Sequence, residues 1–306
     1  MKWEKKGLVF DPRGKFSWAD SFALQPTPLQ LDSEVIRVYA GFRDKNGISR
    51  VGFVDVAASN PSEVLRTSEQ PVLDIGIPGA FDENGVVPCH VIRVGDKIYL
   101  YYAGYQLGQK IKFTVFGGLA ISSDNGETFS RYSRVPITDR TNEELFFRVI
   151  HTVIHEDGIF KAWYGSGDTF VTIDEKSYPS YNIKYMTSAD GKNFGTDYSV
   201  CIDFKDDDEY RVARPWVIKH NGRYHMFYYI ATKSGGFRLA YAESRDGICW
   251  KCSDEAIGIG RSVHGWDSEM IAYPSVIDID GQLHMFYNGN NYGEGGFGYA
   301  VLANDK

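Results

Sequence analysis

The chain has 306 residues, with 33 Lys and Arg against 40 Asp and Glu, a formal net charge of -7, and 43% apolar and 15% aromatic residues. The apolar content is ample for a large core, while the acidic balance excludes nucleic acid or an anionic membrane as the expected partner, since both need a basic face. No run of about 18 apolar residues is present, so no membrane span is expected, and the start, MKWEKKGLVF, lacks the apolar stretch of a signal peptide, making a cytoplasmic location the expectation.

In chain order, one hairpin recurs five times. Gln25-Pro26 leads through TPLQLDS to VIRVYAG, and Pro88-Cys89 through HVIRVGD to YLYYAG. Ile150-His151 leads through TVIHEDG to FKAWYG, Arg214-Pro215 through WVIKHNG to YHMFYY, and Tyr273-Pro274 through SVIDIDG to LHMFYNG. Asp-Gly or Asn-Gly between alternating apolar runs is a strong hairpin signal, and recurrence at intervals of roughly sixty residues marks a repeat protein. Three of the units continue into a third strand and a small polar turn: ISSDNGETF (Ile121 to Phe129), MTSADGKNF (Met186 to Phe194) and AESRDGICW (Ala242 to Trp250). A Phe or Trp then opens a fourth strand.

Four short antiparallel strands per unit, repeated radially, predict an all-β, five-bladed β-propeller in one domain spanning 1–306. The last repeat, FGYAVLANDK, stops at Lys306 before its fourth strand. Trp3 to Phe10 is expected to supply it, closing the last blade onto Gly296 to Ala303, with the connecting turn divided between Asn304-Asp305 and Trp3. The four cysteines, Cys89, Cys201, Cys249 and Cys252, are scattered. Cys249 and Cys252 form a C-x-x-C on an apparent outer strand, where odd spacing sends the side chains to opposite faces and favours a structural role over redox or zinc chemistry.

The segments RPWVIKHNGRYHMFYY, YNIKYMTSADGKNF and DSEMIAYPSVIDIDGQLHMFYNGNNYGEGGFGYAVL resemble the five-bladed propellers of the glycoside hydrolase superfamily, which includes arabinanases, xylosidases, invertases and mannoside phosphorylases. More closely, the chain resembles glycosidase-like proteins found with bacterial surface-polysaccharide genes. The resemblance covers nearly the whole chain and implies a site in the central funnel, an oligosaccharide or small-molecule substrate, and no cofactor. Glycosidases work with two carboxyls, one protonated and one ionised. At the positions where arabinanase-like members carry them, this chain has Gln25, His90 and Val149. The Glu-Asp-Pro-Arg run of mannoside phosphorylases and the Asn-Asp-Pro run of invertases are also missing.

Candidate residues then follow from strand alternation about the recurrent position Pro26, Cys89, His151, Pro215 and Pro274. The residues on either side of it share a face: Gln25 and Thr27, Pro88 and His90, Ile150 and Thr152, Arg214 and Trp216, Tyr273 and Ser275. Even spacing extends this face to Arg148, Glu144, Glu269, Asp267, Asp208 and Asp82. Glu269, Asp82 and Asp20 are expected to supply acid chemistry, Glu269 because aromatic neighbours such as Trp266 would raise its pKa by desolvation. Arg148, Arg214, His90, Tyr273, Trp216, Gln25, Asp267 and Glu144 are expected to hold substrate, with Arg211 and His151 as further polar groups. Arg suits bidentate holding of a carboxylate or phosphate, so an anionic sugar, a sugar phosphate or a nucleotide sugar is the expected ligand. The bland alternative is that the acids are solvated lead-ins to strands and pair with these arginines. The favoured class is a carbohydrate-active enzyme acting at a glycosidic bond, by hydrolysis or by transfer to phosphate or another sugar. The alternative, raised by the missing carboxylates, is a non-catalytic sugar- or nucleotide-sugar-binding protein of polysaccharide biosynthesis.

Three motif matches carry no weight. Gly293 to Gly298 fits G-x-G-x-x-G without a following helix. Ser122 to Phe129 fits a sialidase Asp-box turn only once. His151 and His155 lie along a strand, which does not suit zinc.

Overall fold

The structure is a computed structural model that describes residues 1–303. The dipeptides singled out above do turn the chain: Asp157-Gly158, Asn221-Gly222 and Asp280-Gly281 all have positive φ, as a type I′ hairpin requires. Strand β1 (Trp3–Phe10) is followed by β2 (Ser21–Gln30), β3 (Val35–Arg43), β4 (Ser49–Ala57) and β5 (Asn60–Thr67). Next come β6 (Val86–Val94), β7 (Lys97–Leu107), β8 (Phe113–Ser122) and β9 (Ser130–Arg131), then β10 (Phe147–Glu156), β11 (Ile159–Ile173), β12 (Lys176–Ser188) and β13 (Ser199–Ile202). The chain ends with β14 (Glu209–His220), β15 (Arg223–Thr232), β16 (Phe237–Ser244), β17 (Lys251–Cys252), β18 (Ala272–Ile279), β19 (Gln282–Asn288) and β20 (Phe297–Leu302).

Pairing is antiparallel and sequential within β2–β5, β6–β9, β10–β13 and β14–β17. The last group, β18–β19–β20, takes β1 as its fourth strand, in a register running from Trp3 opposite Leu302 to Phe10 opposite Phe297. The expected closure by Trp3 to Phe10 is therefore what is found; its connecting turn, at Asn304-Asp305, lies outside the described residues. The first strands form a ring: β2 packs on β6, β6 on β10, β10 on β14, β14 on β18, and β18 back on β2.

The apolar cores lie between neighbouring groups rather than inside one. Val38 and Val54 pack with Phe286 and Phe297, and Tyr39 and Phe53 with Leu100 and Phe116. Tyr101 and Leu119 meet Tyr164 and Met186, Trp163 and Tyr185 meet Met226 and Tyr228, and Phe227 and Tyr241 meet Met285 and Tyr287. Each face alternates apolar residues toward such a core, and full burial of one large apolar side chain contributes about 1.5–3 kcal/mol.

The three recurrent polar turns have one geometry and one further use. In each, a serine hydroxyl (Ser122, Ser188, Ser244) accepts the N–H of the turn glycine, at 2.8, 3.0 and 2.9 Å. The glycine carbonyl then accepts a bond from an aromatic on the preceding group: Tyr39 to Gly126 at 3.1 Å, Tyr101 to Gly191 at 2.8 Å, and the Trp163 indole to Gly247 at 2.7 Å. Adjacent groups are thus strapped by directional bonds as well as by apolar packing. Cys249 lies in the third of these turns and Cys252 in β17; both are exposed free thiols, so only the second occupies the expected outer strand.

Candidate functional site

Around the recurrent position every first strand carries one extra residue against its second strand, and β2 and β14 carry another nearer their start. Leu24 and Thr27 sit opposite Gly41 and Tyr39, Ala213 and Trp216 opposite Tyr229 and Phe227, and Ala272 and Ser275 opposite Asn288 and Phe286. Pro88 and His90 sit opposite Tyr102 and Tyr101, and Ile150 and Thr152 opposite Tyr164 and Trp163. A bulge of one residue reverses the in–out alternation of everything upstream of it. Val86, Arg148, Val212 and Ile271, at the position expected to face the axis, are instead buried away from it. One residue earlier, Gly85, Phe147 and Arg211 line an axial cavity. In β2, β14 and β18 the bulge is absorbed by Gln25, Arg214 and Tyr273, with φ of 56°, 52° and 56°, a left-handed conformation that costs a non-glycine residue roughly 1–2 kcal/mol. Strain held at one register in three strands, beside a cavity, points to a functional constraint.

The cavity measures about 780 Å³ and takes lining residues from all five first strands, among them Gln25, Val87, Phe147, Arg211 and Tyr273. Its wall is raised by the long β11–β12 hairpin, turned at Asp174 and Glu175 with φ of 47° and 63°, which brings Lys176, Tyr178 and Tyr181 to the lining. Phe147 and Tyr181 stack with ring centroids 4.3 Å apart and planes 10° apart. Tyr273 packs edge-on against Tyr229 at 5.5 Å, and the Tyr229 and Tyr181 hydroxyls lie 3.2 Å apart. Arg43, Lys112, Lys176 and Arg211 supply positive charge, and among the described residues no Asp or Glu lines the cavity. Arg211 is 7% exposed; its Nε donates to the Pro179 carbonyl at 2.8 Å. Its guanidinium lies 5.1, 5.4 and 5.7 Å from the Tyr210, Tyr181 and Tyr178 ring centroids.

The expected acids lie elsewhere. Glu269 is exposed, its N–H donating to Asn290 Oδ1 at 2.7 Å and its carbonyl accepting from Arg261 at 3.2 Å. Asp20 is also exposed and donates its N–H to the Arg43 carbonyl at 2.8 Å. Asp82, Glu144 and Asp267 are buried, but each serves as a brace. Asp82 accepts from the Tyr102 hydroxyl at 3.0 Å and from Arg131 at 2.7 Å. Asp267 accepts from Tyr287 at 3.0 Å and from Lys5 at 2.6 Å. Glu144 holds Tyr164 at 2.9 Å, Arg148 at 2.8 Å and Lys184 at 3.2 Å. Arg148 is therefore consumed by Glu144 and does not reach the cavity. Asp208, also expected on the inner face, is half-buried and bonds Ser234.

His90 and Trp216 form part of a plug beneath the cavity. Their rings lie 5.0 Å apart, the Trp216 indole donates to the Val276 carbonyl at 2.6 Å, and His90 Nδ1 accepts the Val153 N–H at 3.3 Å. Trp216 is thus a packing residue and offers no stacking face to a sugar. Burial, with Arg214 adding to it, lowers the His90 pKa to about 3, so the ring is neutral. Of the expected binding residues, Gln25 and Tyr273 line the main cavity, and Arg214 lies just below it with His151. Alternation overlooked Phe147, Tyr105, Tyr178, Tyr181 and Lys176, and gave Arg211 only a secondary place. The recurrent proline did not mark the reversal by itself, since β2 and β18 are edge strands, where proline is tolerated with or without a bulge.

No family model matches the chain. Among solved structures, a glycoside hydrolase is similar with a TM-score of 0.71 at 17% identity, covering 99% of this chain and 92% of that one. The GH43_1 enzyme from Xanthomonas citri complexed with xylose gives 0.65 at 16%, covering 93% and 88%. The Bombyx mori GH32 β-fructofuranosidase BmSUC1 gives 0.64 at 14%, covering 98% and 61%. The fold is accordingly the all-β propeller of family-43 and family-32 glycoside hydrolases, which are five-bladed enzymes. In sequence, the chain is 33% identical over 304 residues to the uncharacterized protein Rv1502 of Mycobacterium tuberculosis (strain ATCC 25618 / H37Rv), covering 99% of this chain and 100% of that protein. Uncharacterized protein MT1551 of strain CDC 1551 / Oshkosh matches to the same extent. The chain belongs to the family of these mycobacterial proteins.

Proposed function

We propose that the chain is a single-domain, five-bladed propeller of glycosidase-like type whose funnel binds an anionic saccharide without cleaving it by a carboxylate pair. The observation that carries this reading is the lining: four cations and a set of aromatic rings, with no carboxylate among the described residues. Two-carboxylate hydrolysis needs acid and base groups roughly 5–5.5 or 6.5–9.5 Å apart across the scissile bond. Asp82, Glu144 and Asp267 are each committed to a tyrosine and a cation. Aromatic faces such as Phe147, Tyr181 and Tyr273 suit the apolar face of a sugar ring, and the guanidinium of Arg211 suits an anionic substituent. The resemblance to proteins found with surface-polysaccharide genes makes acidic units of such polysaccharides the ligand class.

Calorimetric titration with uronic-acid oligosaccharides, sugar phosphates and neutral counterparts tests the proposal. Anionic ligands should bind, and Arg211→Gln should weaken them roughly ten- to a hundredfold, the loss of a charge-assisted contact, while neutral sugars change little. Equal binding of neutral ligands, or sustained release of reducing ends, would overturn it.

A further inference from the structure

At the foot of the axial cavity lies a recess of about 40 Å³, bounded by Gln25, Tyr105, Phe147, His151, Arg214 and Tyr273. Four of these, Gln25, Tyr105, Phe147 and Tyr273, also line the larger cavity, so the two adjoin. The recess is far below the about 300 Å³ of the smallest usual ligand pockets. It suits a substituent, not a whole sugar.

Its chemistry is unusual for a protein interior. Arg214 is 1% exposed, and its terminal nitrogens donate only to neutral oxygens: Gln25 Oε1, Thr27 Oγ1 at 3.4 Å and Ser275 Oγ at 3.3 Å. Its Nε has no acceptor among the described residues. The other fully buried guanidinium, Arg37, has Asp55 at 2.7 Å, and Arg148 has Glu144 at 2.8 Å. Burial lowers the Arg214 pKa only to about 10, so it stays charged at neutral pH. An unpaired buried charge costs several kcal/mol, and arginine does not shed its charge to avoid that cost. His151, 4% exposed, also has an unpartnered atom, Nδ1, among the described residues. Burial and the nearby Arg214 hold its pKa well below the usual histidine range, and a neutral imidazole can carry its proton on Nδ1.

We propose that this recess is an anion subsite that seats the carboxylate of an acidic saccharide against Arg214 and His151. A guanidinium matches a planar carboxylate edge to edge. One cation and one neutral imidazole balance a single negative charge, whereas a phosphate monoester carries about -1.5 to -2. The subsite rests on the proposed function for the saccharide, but not for the anion.

The test is titration of the 306-residue chain with sodium acetate, glucuronate, glucose 1-phosphate and glucose, following the His151 ring nitrogens by NMR and affinity by calorimetry. Acetate and glucuronate should both shift the His151 signals. Arg214→Met and His151→Leu should each weaken glucuronate about tenfold or more; His151→Leu removes no buried charge and carries the test where Arg214→Met does not fold. If acetate perturbs His151 and no uronic acid binds, the subsite stands and the saccharide function falls. If glucuronate binds and is lost in Arg211→Gln but not in either recess variant, the subsite is overturned and the function stands. Failure of every carboxylate to perturb His151, or tighter Arg214-dependent binding of glucose 1-phosphate, overturns the carboxylate assignment.

Discussion

Glu144 meets a tyrosine hydroxyl, an arginine and a lysine while fully buried. Converting it to glutamine keeps the shape but leaves Arg148 and Lys184 without a counter-charge. Removing one partner of a buried pair costs about 3–5 kcal/mol. Glu144→Gln should therefore lower the free energy of urea unfolding by that amount, while saccharide affinity in the folded variant stays unchanged; a stable variant that fails to bind would return Glu144 to the site. Two histidines give a second prediction at this scale. His90, with a pKa lowered to about 3, and His151, held well below the usual range, are both neutral when folded because of burial. Unfolding restores an ordinary value near 6.5, so below that pH the unfolded state takes up protons that the folded state refuses. Stability is complete above about pH 6.5 and falls as pH drops, by about 1.4 kcal/mol per pH unit for each such group. Unfolding free energies at pH 7, 6 and 5, above the range where unfolded carboxylates titrate, should show this slope. His90→Gln should remove the His90 share, about 1.4 kcal/mol per pH unit, and leave that of His151.

At the scale of elements, the polar turn does two jobs: it ends a third strand, and it offers a carbonyl to the neighbouring group. Tyr101→Phe leaves the Gly191 carbonyl without its hydroxyl partner, and Tyr39→Phe does the same at Gly126. Loss of a buried partner costs about 1–3 kcal/mol. Each substitution should destabilise by that amount, and the pair should be additive because the straps join different pairs of groups and share no bonding partner. A neutral result in denaturant titration would mean that apolar packing alone joins the groups.

At the scale of the molecule, closure depends on β1. Trp3 packs edge-on against Phe227 at 6.0 Å, and Lys5 braces Asp267, so the first residues hold both the last group and the one before it. Deleting residues 1–10 would expose the β20 edge and open the apolar cluster around Phe286 and Phe297. Exposed edges invite pairing with other chains. The truncated chain should aggregate, or melt about 10 °C or more below the full chain. A soluble truncation with an unchanged melting temperature would deny β1 its closing role.

Much of this was legible in the residues because hairpin turns and strand alternation are local physics. Asp280-Gly281 specifies a turn wherever it occurs between apolar runs, and five such runs of one register fix the repeats, the strand count per repeat and the part played by Trp3 to Phe10. The site was legible only in outline. Gln25, Arg214 and Tyr273 could be named because they flank the recurrent proline. Arg148 and Arg211 exchanged roles because a single bulged residue reverses every side chain upstream of it, and the position of that extra residue is set by pairing with the next strand. The fate of the acids was likewise a tertiary matter. Glu144 and Asp267 become braces because Lys184 and Lys5, distant in sequence, are brought beside them, and no local pattern distinguishes a carboxylate that will be neutralised from one that stays free.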